Sequence, residues 1–206
     1  CMDLHECNQL LVFGGSFDPP HRAHVTLPMY VLEQLGADLA AFVPAARSPH
    51  KSVVTATAID RLAMLRLALH DQDRAIVVTD EIDRAIMGQP SYTVDTLEAL
   101  RSRLRPQTTM RLLIGTDQVR AFDRWRSPHR VIELAEPVVM LRPPDTAQAL
   151  LTSLENPGPW EARLLTVPSM EISSSEIRGR LACGEPVNDL LDPAVTRYIT
   201  QHRLYY

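Results

Sequence analysis

Six short apolar runs recur along the chain, separated by amphipathic or polar stretches. The runs occupy residues 11–13, 39–43, 75–78, 112–114, 137–141 and 164–167. A run without polar positions is typical of a strand that is buried on both faces of a sheet. Since helical patterns lie between most of these runs, the sequence predicts an α/β fold, a doubly wound, Rossmann-like and mostly parallel sheet flanked by helices.

The segments between the runs receive simpler predictions. A helix over residues 57–70 is interpreted as scaffold, residues 80–88 as a charged connection, and residues 194–202 as a C-terminal helix that serves packing only. The apolar stripe of the scaffold helix is predicted to consist of Ile59, Leu62, Ala63, Leu65, Leu67 and Leu69.

Length and composition narrow the class of protein. A chain of 206 residues with 45% hydrophobic residues can build one substantial core. We therefore expect a single domain over residues 1–206, with a flexible segment at 1–8. The net charge of −4 argues against a partner that is a nucleic acid or a membrane surface. Because no run approaches the ~18 apolar residues of a membrane span, a cytoplasmic protein is expected.

The cysteines indicate no further chemistry. Cys1, Cys7 and Cys183 are odd in number and lack C-x-x-C spacing. Neither a disulfide framework nor a zinc site is therefore predicted.

The first apolar run leads into the most informative stretch of the sequence. Gly14 and Gly15 end the run and can bring bare backbone close to a ligand. Residues 18–20, Asp-Pro-Pro, exclude a helix before position 21. His21 and His24 then project from one face of the first helical turn, where free N–H groups favour an anion. Each feature alone has a simpler interpretation, the glycines as a tight turn and a histidine as a polar helix cap. Their order along the chain, however, predicts a polyphosphate site.

A second helix start near the C-terminus repeats this chemistry. Residues 172–178 read Ile-Ser-Ser-Ser-Glu-Ile-Arg, with three hydroxyls at the predicted helix start and Arg178 one turn later. Taken alone, the stretch could equally be an N-cap run followed by a surface arginine.

The two stretches together resemble a known pair of signatures. Residues 14–24 resemble the G-x-F-D-P-x-H-x-G-H signature, and residues 172–178 the I-S-S-T-x-I-R signature, of the adenylyl- and cytidylyltransferase superfamily of nucleotidyltransferases. Ala23 stands where the family usually has glycine, which would keep the helix slightly farther from the phosphates. Ser175 replaces the usual threonine and keeps a hydroxyl.

This resemblance implies an ATP site and the roles of its residues. His24 would contact the α-phosphate in the transition state, His21 would assist, and Arg178 would bind the departing pyrophosphate. Asp117 would hold the ribose or order the ligands of the site. The implied ATP-binding set is Gly14, Gly15, Ser16, Phe17, His21, His24, Gly115, Asp117, Ile172, Ser174, Ser175 and Arg178.

Three further elements are similar to those of the nicotinate mononucleotide adenylyltransferases. They are Pro49-His50-Lys51, Ser91-Tyr92-Thr93, and Ile114-Gly115-Thr116-Asp117 followed by Trp125. The implied reaction joins ATP and nicotinate mononucleotide into deamido-NAD and pyrophosphate, with Mg²⁺ as the expected cofactor and no protein metal ligands assigned. The implied mononucleotide-binding set is Ser16, His50, Lys51, Ser91, Tyr92, Thr93, Trp125 and Arg142.

Within that set the resemblance implies individual roles. Trp125 would stack on the nicotinate ring, and the region of Tyr92 and Thr93 would receive the nicotinate carboxylate. Lys51 or Arg142 would hold the mononucleotide phosphate. Alternatively, the loop that carries Lys51 is a solvated basic loop.

Other functions stay open at this point. A pantetheine-phosphate adenylyltransferase or a cytidylyltransferase would keep both phosphate signatures but would not need residues 91–93 and Trp125. A non-catalytic nucleotide sensor would be expected to lose His24 or Arg178, and the sequence keeps both. The oligomeric state and the preference between the nicotinate and nicotinamide mononucleotides do not follow from the sequence.

Overall fold

The computed structural model describes residues 4–46 and 56–206. The strands are β1 (Gln9–Gly15), β2 (Leu39–Pro44), β3 (Ala75–Val77), β4 (Thr109–Gly115), β5 (Glu136–Leu141) and β6 (Leu164–Thr166). The α-helices are α1 (Arg22–Leu35), α2 (Ala58–Ala68), α3 (Asp80–Ile86), α4 (Thr93–Arg103), α5 (Thr116–Ala121), α6 (Pro128–Leu134), α7 (Ala147–Thr152), α8 (Ser174–Ala182) and α9 (Pro193–His202). Short 3-10 turns lie at Leu4–Glu6, Phe122–Arg124 and Gly158–Arg163.

The strands form one parallel sheet in the order β3-β2-β1-β4-β5-β6. The strand order reverses between β1 and β4, and in open α/β sheets ligands bind beside such a switch point, at the carboxyl ends of the strands. The predicted doubly wound α/β fold is confirmed.

Alternation along the strands explains why the apolar runs are continuous. Leu10 and Val12 of β1 face one core cluster, which includes residues of α4 and α6. Leu11 and Phe13 face a second cluster, which includes residues of α1 and α2. Because both faces of each central strand are covered, apolar side chains are needed at successive positions.

The predicted charged connection over residues 80–88 is wrong, since most of it forms α3. Its acidic first turn contains Asp80, Glu81 and Asp83, and Arg84 lies in its last turn, a distribution that the helix dipole favours. Ile82 is buried beneath it, and Gly88 follows the helix with a left-handed φ of 72°. Because only one of the seven residues of α3 is buried, its apolar positions do not repeat at helical spacing, and the sequence does not reveal the helix.

The predicted stripe of the scaffold helix α2 is also partly wrong. Ile59 is 58% exposed, and the fully buried face carries Arg61, Met64 and Leu65. The helix is therefore rotated so that a guanidinium group enters the interior. Thr57 accepts a hydrogen bond from the backbone N–H of Asp60, 3.1 Å away, and so caps the start of α2.

A third core cluster joins the C-terminal part of the chain to α2. Val195 and Ile199 of α9 are fully buried against Met64 of α2 and Leu181 of α8. The interpretation of α9 as a helix that serves packing only is incomplete, because the residues that follow it reach the loop after β1, as described below.

The ends of the described chain bear on two further expectations. Within the segment predicted to be flexible, residues 4–8 pack against the sheet. Cys7 is fully buried, and the backbone N–H of Asn8 donates to the Asp38 carboxylate at 2.7 Å. In the part of the chain that the structure describes, no helix is long and apolar enough to cross a membrane.

Candidate active site

The β1–α1 loop, residues 16–21, joins the strand at the switch point to the N-terminus of α1. Phe17 adopts a left-handed backbone conformation with a φ of 48°, which is uncommon for a bulky residue. Its buried ring packs edge-on against Phe13 and His24, at centroid distances of 5.8 and 5.2 Å. These aromatic contacts hold the loop in its conformation.

The packing of the Phe17 ring explains the second glycine of the loop. A Cβ atom at Gly15 would lie 2.9 Å from Cζ of Phe17, closer than real Cβ contacts. At Gly14 the nearest atom to such a Cβ is the Val43 carbonyl oxygen, at 3.9 Å. The sequence predicts both glycines from close approach to a ligand, and the structure adds an internal steric requirement at Gly15.

The two predicted histidines lie together at the start of α1. His21 occupies the N-cap position, and the rings of His21 and His24 stack with centroids 3.6 Å apart at an angle of 17°. The backbone N–H of His21 donates to Nδ1 of His24 at 3.3 Å. In the neutral imidazole of His24 this bond leaves the proton on Nε2, which becomes the donor of the ring.

Ala23 lies between these histidines in the sequence, and its side chain faces the core. It is fully buried in the cluster that includes Leu27 and Val31. The methyl group that replaces the usual glycine hydrogen therefore packs into the core.

The second predicted helix start, that of α8, lies directly against the β1–α1 loop. Ser174 Oγ donates to the Pro19 carbonyl at 3.0 Å, across 155 residues of sequence. Arg178 Nη1 donates to the Asp18 carbonyl at 2.7 Å, and its Nη2 to Ser175 Oγ at 3.2 Å. The two stretches that the sequence singles out are brought together, and Arg178 is half-buried in their contact rather than a surface arginine.

A buried arginine that sequence reasoning missed supports the loop. Arg61 is 1% exposed. It donates to the Ser16 carbonyl at 2.6 Å and to the Ala46 carbonyl at 3.0 Å. Burial lowers the pKa of its guanidinium, and the nearby Asp18 carboxylate opposes that shift. The sequence carries one signal for this burial. Arg61 lies three residues before Met64 and four before Leu65, and residues at these spacings share one face of a helix.

Several predicted substrate residues surround a cavity beside the switch point. Gly14, Thr93 and Trp125 line it together. Trp125 is half-buried and packs against Phe122 with centroids 5.0 Å apart. Part of the Trp125 ring therefore contacts the core, and another part faces the cavity.

Glu81 of α3 lines the same cavity and was missed, because its helix was interpreted as a connection. Burial raises the pKa of its carboxyl, and hydrogen bonds from the Ala46 backbone and the Thr96 side chain oppose that shift. The carboxyl thus ties α3 to α4 and to the chain after β2.

The start of α4 has the position that the sequence predicts. Tyr92 is its N-cap residue and Thr93 its first helical residue. The Arg126 guanidinium lies 4.6 Å from the centroid of the Tyr92 ring, in a cation–π contact. Ser91 Oγ is buried and has no hydrogen-bond partner within residues 4–46 and 56–206. The contact with Arg126 places positive charge beside this helix start.

The remaining predicted residues lie at the carboxyl ends of β4 and β5. Gly115 is the N-cap residue of α5, and its N–H donates to Gln118 Oε1 at 3.0 Å. The Asp117 side chain is 99% exposed and lies 3.2 Å from Arg120. Burial lowers the pKa of the Arg142 guanidinium, whereas Asp117 opposes the shift. Arg142 Nε is buried without a hydrogen-bond partner among the described residues.

Two predicted residues, His50 and Lys51, lie outside the residues that the structure describes.

Ile172, at the start of the second signature, is partly buried and packs against two core clusters. Its side chain therefore helps to position α8.

Comparisons with known proteins agree with this arrangement. Residues 12–180 match the family model described as cytidylyltransferase-like. The probable nicotinate-nucleotide adenylyltransferase of Chromobacterium violaceum is 35% identical, over an alignment that covers 94% of this chain and 97% of that protein. The protein of the same name from Bordetella avium is 38% identical, with 94% and 96% covered.

A solved structure has the same fold. The Plasmodium falciparum nicotinic acid mononucleotide adenylyltransferase complexed with NaAD aligns with a TM-score of 0.70 and 20% identity, covering 96% of this chain and 97% of that chain. The fold and the two joined signatures define a nucleotidyltransferase, and the chain belongs to the cytidylyltransferase-like family. Within it, the chain is a member of the nicotinate-nucleotide adenylyltransferases, enzymes of NAD biosynthesis. The family predicted from the sequence is confirmed.

The two loop glycines provide a matched pair of variants. We expect Gly15→Ala to lower the free energy of unfolding by about 1–3 kcal/mol, because the new methyl group must displace the buried Phe17 ring. Gly14→Ala meets only ordinary contacts and is expected to change it by less than about 1 kcal/mol. Urea unfolding of both variants measures the difference, and equal unfolding free energies would contradict the steric role of Gly15.

Proposed function

We propose that this site transfers the adenylyl group of ATP to nicotinate mononucleotide and releases pyrophosphate. The observation that carries the proposal is the contact between α8 and the β1–α1 loop, through Arg178 and Ser174. It brings two helix starts, whose dipoles favour an anion, beside the same loop. The family to which the chain belongs supports this choice of reaction.

The chemistry requires little beyond positioning and charge stabilisation. A phosphate oxygen of the mononucleotide attacks the α-phosphorus of ATP, forming one P–O bond, while the bond from the α-phosphorus to the bridging oxygen breaks. The bridging electron pair leaves with pyrophosphate. Because the nucleophile is already ionised at neutral pH, no general base has to create it. Catalysis then consists of aligning two polyanions and stabilising the charge that moves to the leaving group.

The residues around the loop suit these tasks. His24 offers a directed Nε2 donor for the α-phosphate, and His21 stacks against it and limits its ring orientation. Arg178 and the hydroxyl of Ser175 would hold the β- and γ-phosphates, whereas Ser174, whose only hydroxyl proton goes to the Pro19 carbonyl, would hold the loop in place. The guanidinium of Arg61 would add positive charge beneath the loop without reaching the ligand, because both of its terminal nitrogens bond to backbone carbonyls.

The remaining ATP contacts in this proposal come from backbone and from the neighbouring strand. The loop backbone of Gly14, Gly15, Ser16 and Phe17 would pass beside the phosphates. Gly115 and Asp117 would contact the ribose or order the ligands, since Gly115 ends the strand next to β1.

Mg²⁺ would enter with the nucleotide. Among the residues that the structure describes, no group of three or more His, Cys, Asp or Glu side chains could hold a metal ion. This fits a magnesium ion that is bound mainly by phosphates and water, the usual arrangement for a substrate-borne Mg²⁺. When bound, the ion would neutralise phosphate charge, and the protein's own share of that task falls to Arg178 and the helix starts.

The mononucleotide would occupy the cavity beside the switch point. Trp125 would stack on the nicotinate ring, and the start of α4 at Tyr92 and Thr93 would receive its carboxylate. Ser91, directly before that helix start, and Arg142, directly after β5, would complete the mononucleotide site. Arg142 is the described candidate for the mononucleotide phosphate, alongside Lys51.

Substrate preference tests this half of the proposal. The start of α4 offers N–H donors, which suit the nicotinate carboxylate and oppose the donor N–H groups of the nicotinamide. We expect a kcat/KM at least ~10-fold higher for nicotinate than for nicotinamide mononucleotide in a coupled assay with ATP. Trp125→Ala is the control, since it should raise KM for both without changing their ratio. Equal or better use of the amide would contradict the role of this helix start.

The role of His24 is tested by its removal. We expect His24→Ala to lower kcat by a factor on the order of 10²–10³, the usual effect of losing one donor to developing charge. His70→Ala removes an exposed histidine beyond α2 and should leave kcat unchanged. If His24→Ala kept its turnover and lost only affinity for ATP, His24 would bind ground-state phosphate alone.

A further inference from the structure

The chain after α9 returns to the candidate active site. Arg203 and Tyr205 both adopt left-handed backbone conformations, with φ values of 51° and 69°. Arg203 is the C-cap residue of α9, and a left-handed residue at this position ends the helix. The buried face of α9, with Val195 and Ile199, fixes the position of this helix end. The C-terminal residues are thus held near the β1–α1 loop.

The side chain of Tyr205 bonds directly to that loop. Its hydroxyl donates to Asp18 Oδ1 at 2.6 Å, across 187 residues of sequence. Asp18 is 1% exposed, and hydrogen bonds of this length from a hydroxyl to a carboxylate are among the stronger ones in proteins. Burial and the bond to Asp18 raise the pKa of the Tyr205 phenol above its ordinary value, so the hydroxyl keeps its proton and stays a donor.

Asp18 links Tyr205 to the residues assigned to the phosphates. Its carbonyl accepts the bond from Arg178 Nη1, and the carbonyl of the next residue, Pro19, accepts the bond from Ser174 Oγ. The nearby guanidinium groups of Arg178 and Arg61 oppose the rise in the pKa of the Tyr205 phenol. A shift of Asp18 would therefore move the acceptors that orient Arg178 and Ser174.

We propose that Tyr205 is a positioning residue for the phosphate site, which fixes Asp18 and through it the orientation of Arg178. The inference rests on the proposed function where it predicts changes in KM. Tyr205 acts through Asp18, so it affects binding of the ATP phosphates and of pyrophosphate rather than of the mononucleotide.

A second tyrosine in the same region provides the control. Tyr198 lies on α9, and its hydroxyl donates to Asp60 Oδ1 at 3.0 Å. This bond joins α9 to α2 and does not involve the β1–α1 loop. Tyr198→Phe and Tyr205→Phe each remove one hydroxyl that bonds to a carboxylate and keep the ring, so a general loosening of the C-terminal region would affect both alike.

The test combines binding and kinetics of the full chain. We expect Tyr205→Phe to weaken pyrophosphate binding, measured by calorimetry, and to raise KM for ATP, each by about tenfold. KM for nicotinate mononucleotide should change less than about twofold. Tyr198→Phe should leave all three values unchanged, and urea unfolding of both variants checks that each remains folded. Equal effects of the two variants on pyrophosphate binding, or none from Tyr205→Phe, would overturn the inference.

A double-mutant cycle tests whether the effect passes through Asp18. Asp18→Asn removes the carboxylate charge, so the loss from Tyr205→Phe should be smaller in that background than in the wild type. Additive losses would contradict the proposed connection. The wild type in the same experiments separates the two proposals. If it formed no deamido-NAD, the proposed function would fail, whereas the pyrophosphate titrations would still decide the role of Tyr205.

Discussion

The contact between the start of α8 and the β1–α1 loop is the interaction on which the candidate active site depends. Arg178 and Ser174 donate to two successive carbonyls of the loop, those of Asp18 and Pro19. This contact brings the start of α8 beside the start of α1 at the switch point of the sheet. Carbonyl oxygens repel an anion, and the donors from α8 that occupy these two carbonyls reduce that repulsion.

The support of this contact explains why distant parts of the chain are needed. Arg61 binds the start of the loop from α2, and Tyr205 binds its middle from the C-terminus. The Phe17 ring fills the space beneath the loop, which requires glycine at position 15. Three separate elements, α8, α2 and the C-terminal residues, therefore restrain the loop, and a preorganised loop is what transfer between two polyanions requires.

The sequence predicts those features that depend on residues close to one another in the chain. The strands were predictable because burial on both faces requires continuous apolar runs, and the helix starts of α1 and α8 because prolines, hydroxyls and glycines act on their immediate neighbours. The support of the loop could not be predicted in this way. Arg61 lies within an apolar-looking helix, and its role depends on a carbonyl 45 residues away. The bond of Tyr205 spans almost the whole chain. The helix α3 was missed because it buries only Ile82, so its period is hidden by charged residues.

A crystal structure of the chain with a non-hydrolysable ATP analogue and Mg²⁺ tests the central claim most directly. The account predicts that the β- and γ-phosphates lie between the starts of α1 and α8. Arg178 would contact them while it keeps its bond to the Asp18 carbonyl, and His24 would be beside the α-phosphate. Phosphates bound elsewhere, with neither helix start in contact with them, would contradict the account.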